Sequence, residues 1–583
     1  MPRRVTKSEA KAAAAAAATK QSDQLDERQL WLPSLETALS LLVLPRAASA
    51  LLNPIADCDE TFNYWEPLHY LLYGFGFQTW EYSPVYALRS YVYLLLHYVV
   101  VKLTAFGSTL GLLADQKLLL FYGLRAALGL LSAYSEALFY HSTSRQFGRR
   151  TARYLLIILL FNAGIFHAST AFLPSTFSMV LVMLFSSAWM DKDHYLALFW
   201  GVVAVLCGWP YVGVLFIPFA VETLYTRGFI KSILVGAAIG GAVLAVELVV
   251  NFHYYQRWVL PAWNIVVYNV LSNETDSTLY GTEPLSFYLL NLALNFNVVD
   301  LLAVPAALFV FALPGHYETS KLQLLAYLGP MYMWVAIMFT QAHKEERFLS
   351  PVYPLFCLAG AITLSAVVYR VGRFFNHARA VGNGLTRVLV VGVLGVYALL
   401  SVSRIVSNVV NFSAPFRVYQ HLYTEVLPNP ETGMLLNAPN ATVNLCLLKE
   451  WYRFPTSFFI PSKDTKVQFV KSSFSGLLPK AFEQHEMGTS IIPSDMNDQN
   501  REEPSRYVPL DVCDYVVDLN LPGQQEIKFW EEPATWELVH SAPFLDVERS
   551  KSPYRSFYIP FLTPQYVEYA AYAIYKRKNA AAQ

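Results

Sequence analysis

Asp57, Asp59 and Glu60 place three acids within four positions, immediately after the first apolar run of the chain. If the chain continues as a helix, Asp59, Asn63, Glu66 and Tyr70 recur at i, i+4, i+7 and i+11 and share one face. Phe62, Trp65, Leu68 and Leu72 fall largely on another. That pattern suits a helix lying in a membrane interface with its acids turned to water or to a cavity. Two further polar stretches interrupt apolar sequence, Tyr280-Gly-Thr-Glu-Pro284 and His343-Lys-Glu-Glu-Arg-Phe348. His343, Lys344 and Arg347 suit an anionic headgroup, because an arginine grips phosphate through two parallel hydrogen bonds while a lysine acts as a point charge. Blander readings compete: an inert acidic loop, an ion-pair patch in which Glu345 and Glu346 satisfy Lys344 and Arg347, and a Gly-Thr turn feeding a helix with proline in its first turn.

The elements that must position these residues are set by composition. With 583 residues, 55% of them hydrophobic and only 15% charged, the chain is too apolar for an ordinary soluble protein and reads as a polytopic α-helical membrane protein. Its net charge of zero gives no footprint for nucleic acid. Apolar runs at 37–53, 86–106, 117–140, 152–170, 175–190, 195–226, 230–251, 287–313, 320–342, 350–372 and 387–410 predict about 11–13 membrane segments. The run 195–226 is broken at Gly208-Trp-Pro210 and is expected to form two short helices meeting in a V. Arg145, Arg149, Arg150, Arg227, Lys231, Arg370, Arg373, Arg379 and Arg387 mark the cytosolic side. The three polar stretches and the region after 411 then share the opposite side, as do sequons at Asn273, Asn411 and Asn440. One conflict remains: the runs 86–106 and 117–140 lie between loop 53–85 and Arg145, where parity demands an odd number of crossings.

Residues 1–35 read as a cytosolic tail, 36–411 as the multi-span domain, and 412–583 as a luminal α/β domain. In the last, alternating runs at Asp514–Leu521 and Thr535–His540 predict strands. Cys446 and Cys513 share that region and can pair if it faces an oxidising lumen, whereas Cys207 and Cys357 sit in apolar runs and read as core.

Ionisable residues within the runs are few. Glu136, Glu222 and Glu247 lie near predicted span ends, so the polar chemistry sits on one face of the membrane rather than along a transport path. A carboxylate that deprotonates an acceptor hydroxyl, set against cations that hold a lipid phosphate, implies transfer of a sugar from a lipid-phosphate donor with inversion. No metal-ligand spacing stands among these residues, so neither metal nor cofactor is expected. A flippase or scaffold without chemistry is the rival reading.

Asp57-Cys-Asp-Glu-Thr-Phe-Asn-Tyr-Trp-Glu-Pro, Gln78-Thr-Trp-Glu-Tyr-Ser-Pro84 with Leu88-Arg-Ser90, Tyr280-Gly-Thr-Glu-Pro284, His343-Lys-Glu-Glu-Arg-Phe348 and Lys449-Glu-Trp-Tyr-Arg-Phe-Pro455 resemble the dolichol-phosphate-mannose-dependent mannosyltransferases of the GT-C fold, glycosyltransferase family 22. Asp57-Cys58 and Glu283 stand where the glycolipid-anchor relatives usually carry His-Pro and His, which favours the α-1,2 branch of asparagine-linked glycan assembly in the endoplasmic reticulum. The resemblance implies inverting transfer of mannose from dolichyl-phosphate-mannose onto a dolichyl-diphosphate-linked oligosaccharide, at the seventh and ninth mannose. A sister enzyme with a glycolipid-anchor acceptor is the nearer alternative. The resemblance carries the family's acidic pair onto Asp59 and Glu60 and its His-Lys-Glu motif onto His343, Lys344 and Glu345. The resulting assignment has Asp59 as base and Glu60 as its helper. His343, Lys344 and Arg347 hold the donor phosphate, and Asp57, Asn63, Glu66, Tyr280, Glu283 and Glu345 contact substrate.

Overall fold

A computed structural model describes residues 30–109, 117–271, 277–314, 319–427 and 442–578. Among these, six helices are long and apolar enough to cross a bilayer: Leu35–Leu52, Lys117–Gln146, Phe229–Tyr255, Lys321–Thr340, Glu346–Phe374 and Ala380–Phe412. Shorter apolar helices, among them Pro174–Met190 and Leu285–Phe296, complete a multi-span bundle. Its interior is held by a salt bridge deep in the apolar core. Arg46 donates through Nε and Nη2 to Glu136 at 2.8 and 2.7 Å and through Nη2 to Leu159 O at 2.9 Å, and both side chains are sealed from solvent.

One end of the bundle gathers the arginines. Arg149 donates to Leu30 O, Arg145 pairs with Asp191 at 3.1 Å, Arg227 donates to Lys192 O and Arg370 to Ala312 O. The charge asymmetry of the sequence is therefore a real asymmetry of the fold. The polar stretches gather at the other end, and the parity conflict resolves there. Tyr91 N, at the start of the helix Tyr91–Thr109, donates to Asn251 Oδ1 near the end of Phe229–Tyr255. Further along that helix, Thr104 lies so close to Gly123 that a Cβ there would stand 2.6 Å from Thr104 Cγ2. Lys117, which opens the helix holding Gly123, donates to Ile460 O in the C-terminal region. Both ends of Tyr91–Thr109 thus lie on the site side. The run 86–106 does not cross, and Arg145 keeps its place at the arginine-rich end.

Two other spans depart from plain helices. The V is present: His194–Val203 and Ile217–Arg227 meet through a π-turn at Ala204–Gly208 and a 3-10 turn at Pro210–Phe216. The open ends are joined where Arg227 Nη2 lies 3.2 Å from His194 Nδ1. The run 287–313, expected as one helix, is instead three pieces, Leu285–Phe296, Val298–Ala303 and Ala306–Val310. Asn297 at φ +41° and Pro305 break it.

Beyond the helix Ala414–His421, the C-terminal region builds a five-stranded sheet in the order Thr465–Phe469, Val443–Leu447, Tyr515–Leu519, Tyr569–Arg577, Trp536–Leu545. The first three strands are parallel, with Leu445 opposite Tyr515. The last two are antiparallel, with Val517 opposite Ile574 and Leu545 opposite Tyr569. Both predicted strands are found, and Cys446 and Cys513 form a disulfide beside the central strands, while Cys207 and Cys357 are free and buried. The sequon at Asn411 does not survive as an open acceptor. Its side chain is fully buried, donating to Ser407 Oγ at 3.0 Å and accepting from Tyr569 Oη at 2.9 Å. Asn273 and Asn440 lie outside the described residues.

Candidate active site

The first loop folds as a helix with one interruption. Asp57 caps it by accepting from Asp59 N at 2.9 Å, Cys58–Glu60 form the first turn, a π-turn spans Thr61–Trp65, and Glu66–Tyr73 continue to Gly74 at φ +78°. A π-turn inserts one extra residue into the helical count and rotates everything after it by about 100°. For that reason the polar face expected from regular spacing does not exist. Phe62, Trp65 and Leu68 do not rest on lipid but are buried within the protein.

The acids consequently divide. Glu66 is wholly enclosed and accepts from Thr456 Oγ1 (2.8 Å), Ser457 N (2.5 Å), Ser457 Oγ (2.8 Å) and Phe77 N (3.1 Å), so it clamps the C-terminal region to the first loop. Asn63 accepts from Thr79 Oγ1 at 2.5 Å and is buried as well. Glu60 accepts from Trp65 Nε1 (2.9 Å) and Phe172 N (3.0 Å), and burial, opposed by Arg125, pushes its carboxyl up. All three side chains are thus engaged inside the protein, and their hydrogen bonds run to other partners than Arg347, although the Arg347 charge acts on Glu60.

Asp57 and Asp59 remain partly open, and both face Arg347. Arg347 Nη2 donates to Asp59 Oδ2 at 2.6 Å, and Arg347 Nε lies 3.1 Å from Asp57 Oδ2 and in contact with Glu345 Oε2. His343 continues the chain of contacts, with Nε2 2.9 Å from Glu345 Oε1 and Nδ1 2.9 Å from Gly281 O. Three stretches far apart in sequence are thereby joined at one point. Burial, opposed by Arg347, pushes Asp57 up to about 7. Burial also raises Glu345, but Arg347 and the His343 hydrogen bond outweigh it and hold that carboxyl down at about 2; the same hydrogen bond raises His343.

Lys344 is placed otherwise than expected. Its ammonium is buried and donates to Glu283 O at 2.8 Å and to Gln341 O. Glu283 N donates to Ala342 O, so Lys344 and the Glu283 backbone stitch two loops together. Tyr280 stands beside Tyr268, whose hydroxyl donates to Asp498 O at 3.2 Å, outside the Asp59–Arg347 contact set.

Arg89 and Glu81, part of the second polar motif of the sequence, carry no role predictable from their spacing. Arg89 donates to both Glu81 oxygens (2.7 and 2.9 Å) through Nη2 and to Tyr64 Oη at 2.7 Å, and the charges of Asp59 and Arg347 act on this pair. Arg89, Tyr64 and Ser90, with Gly208 and Trp209 at the tip of the V, line a small cleft. Their signal in the sequence is a glutamate and an arginine eight positions apart at the end of the first polar stretch. Asp57, Cys58 and Asp59 also turn one potential ligand atom each to within 4.8 Å of the others, and the cation set against the two aspartates is Arg347.

Residues 37–461 match the model of the Alg9-like mannosyltransferase family. The chain belongs to that family. It is 41% identical to the alpha-1,2-mannosyltransferases ALG9 of Mus musculus and of Homo sapiens, in each case over 95% of this chain and 90% of the relative. Its fold is similar to that of ArnT from Cupriavidus metallidurans bound to undecaprenyl phosphate, with a TM-score of 0.51 and 11% identity over 86% of this chain and 95% of that one. The architecture is thus the GT-C fold of membrane glycosyltransferases, with a sheet region at its C-terminus.

Proposed function

We propose that this member of the Alg9-like mannosyltransferase family transfers mannose from dolichyl-phosphate-mannose, in α-1,2 linkage and with inversion, onto dolichyl-diphosphate-linked high-mannose oligosaccharide. It supplies the seventh and ninth mannose for protein N-glycosylation, working at the luminal face of the endoplasmic-reticulum membrane. The relatives' names support the reaction and linkage. The position of the site, at the end of the bundle opposite the arginines, and the disulfide in the C-terminal region docked at that same end support a luminal face.

The observation that carries the mechanism is the sharing of Arg347 among Asp57, Asp59 and Glu345. An incoming phosphate competes with the carboxylates for that guanidinium. Its arrival draws Arg347 off Asp59 and leaves Asp59 free as a base, so donor binding and exposure of the base are one event. The acceptor hydroxyl then attacks the anomeric carbon while its proton passes to Asp59. The bond from that carbon to the phosphate oxygen breaks, and dolichyl phosphate departs with the electron pair, its charge met by Arg347. His343 keeps Glu345 in place, and Lys344 fixes the loop that carries both. In this reading the guanidinium supplies the positive charge and no metal takes part.

Purified protein given dolichyl-phosphate-mannose and a synthetic lipid-linked mannose acceptor tests the reading. Wild type should form an α-1,2-linked product whose rate withstands EDTA, and Asp59→Asn should lose about two to four orders of magnitude in turnover with an unchanged melting profile. Near-normal turnover by that variant would sink the role of Asp59, and a product of other linkage would favour a sister enzyme.

A further inference from the structure

Residues 553–563 leave the sheet region and run back along the helix Arg379–Phe412. Asn411 Nδ2 and Ser407 Oγ both donate to Arg555 O (3.3 and 3.2 Å), Arg404 Nη1 donates to Ser556 O (3.3 Å), and Ser403 Oγ donates to Tyr558 O (2.9 Å). Tyr558 N returns a bond to Ser403 O at 3.0 Å. Each step meets the helix further from its Phe412 end. From 412 to 403 the descent is about 13 Å, at 1.5 Å per residue. The loop therefore reaches back toward the bilayer rather than out into the lumen.

What it carries there is apolar. Ile559, Phe561 and Leu562 are 37%, 87% and 41% exposed. On the adjoining helix Val388, Val391, Leu399 and Val402 form an exposed apolar stripe along the span, which is its lipid-facing surface. That stripe ends at Val402, one residue before Ser403 receives the loop. The Tyr558–Ser403 bonds set the apolar residues of the loop at the level where that stripe ends. Phe561 has φ +66°, an uncommon conformation for an aromatic residue, and it is held with its ring outside the protein.

The local backbone is made for an apolar setting, where unsatisfied polar groups cost several kcal/mol each. Leu562 N and Thr563 N both donate to Ile559 O, while Ile559 N donates to Thr563 Oγ1 at 2.7 Å. The stacked rings of Tyr554 and Tyr566, together with Arg404, Arg555 and Lys551, flank the segment. Aromatic and cationic residues of this kind settle at the headgroup level.

We propose that Ile559, Phe561 and Leu562 insert into the boundary between headgroups and acyl chains and seat the C-terminal region on the bilayer. The site is a lipid-binding one, built by the loop and independent of the reaction proposed above.

A depth measurement tests it without reference to activity. Full-length Phe561→Cys protein in lipid nanodiscs is labelled with a nitrobenzoxadiazole thiol reagent, and unsubstituted protein is labelled in parallel to subtract Cys58, Cys207 and Cys357. Glu537→Cys, exposed at the end of the strand Trp536–Leu545 that lies away from Asn411, is the comparison. Lipid spin-labelled in the upper acyl chain should quench the label at 561 several-fold more than at 537, and aqueous iodide should do the reverse. Leu562→Cys is measured alongside and should give the same order. Equal quenching at 537 and at both loop positions by lipid, or stronger quenching by iodide at the loop, would overturn the proposal.

Discussion

The chain contains two arginine–carboxylate contacts that look alike and do opposite things. At Arg46–Glu136, one guanidinium meets one carboxylate through two hydrogen bonds, Leu159 O accepts a further one from Arg46 and Ser132 Oγ donates one to Glu136, and solvent access is 1% and 0%. At Arg347, one guanidinium is shared by Asp57, Asp59 and Glu345, all of which retain solvent access. The first arrangement is closed: its charges are matched one to one inside the protein, and solvent and ligand have no access to it. The second is over-supplied with negative charge and open, so a phosphate can displace a carboxylate without stranding it. The difference shows why the count of partners and the access of water, rather than the presence of an ion pair, separate a site from a strut.

Removing each arginine's function should break the comparison in opposite ways. Arg347→Ala, assayed for mannose transfer against donor concentration, should lower kcat/KM by about 10³-fold with little change in melting temperature, since an open cluster of this kind contributes little to folding. Loss of folded protein instead would make Arg347 a strut. Glu136→Leu should do the reverse: the stranded Arg46 charge costs about 3–5 kcal/mol, lowering the thermal midpoint and the yield of detergent-extracted protein. Turnover per folded molecule should stay near wild type. A normal melt for Glu136→Leu would show the buried pair to be dispensable.

Much of this contrast was legible in the chain. The three polar stretches declared themselves by interrupting apolar sequence, and the Gly208-Trp-Pro210 break, the two strands and the Cys446–Cys513 pair all follow from local chemistry. Three features were not. Hydropathy is the same for a helix that crosses a bilayer and one that stays on one side, so Tyr91–Thr109 was indistinguishable from a span. A π-turn leaves no period in the sequence, so regular spacing does not show the rotation after Thr61–Trp65 that turns Glu66 inward. The partners of Glu66, Thr456 and Ser457, lie 390 and 391 positions away, and no local pattern announces a contact of that range.

Glu66 sharpens the comparison within one helix, because it stands seven residues from Asp59 and has the opposite task. It accepts four hydrogen bonds, and Glu66→Gln turns one acceptor into a donor facing donors. The expected cost is about 1–3 kcal/mol of stability, read as a lower melting temperature. Limited proteolysis should also become faster in the segment around Thr456, with donor KM altered less than threefold. A donor KM that moves while the melt does not would return Glu66 to the binding site.

The smallest effect tests how the open cluster is balanced. Burial, which outweighs the attraction of Arg347, pushes the Asp57 carboxyl up to about 7. A carboxyl raised in the folded state contributes to stability when protonated, so its contribution is present below the ordinary carboxylate range and is lost as the pH climbs through 7. The same proton governs how tightly Arg347 is held. Below 7, Asp57 is neutral and the guanidinium answers to Asp59 and Glu345. Above 7 a third negative charge competes with the incoming phosphate. Wild-type donor KM should therefore rise several-fold between pH 6 and pH 8, and in Asp57→Asn it should be flat across that window while kcat keeps its own pH dependence. If the rise persists in Asp57→Asn, the titrating group lies elsewhere, and His343, which its hydrogen bond to Glu345 raises, is the next one to remove.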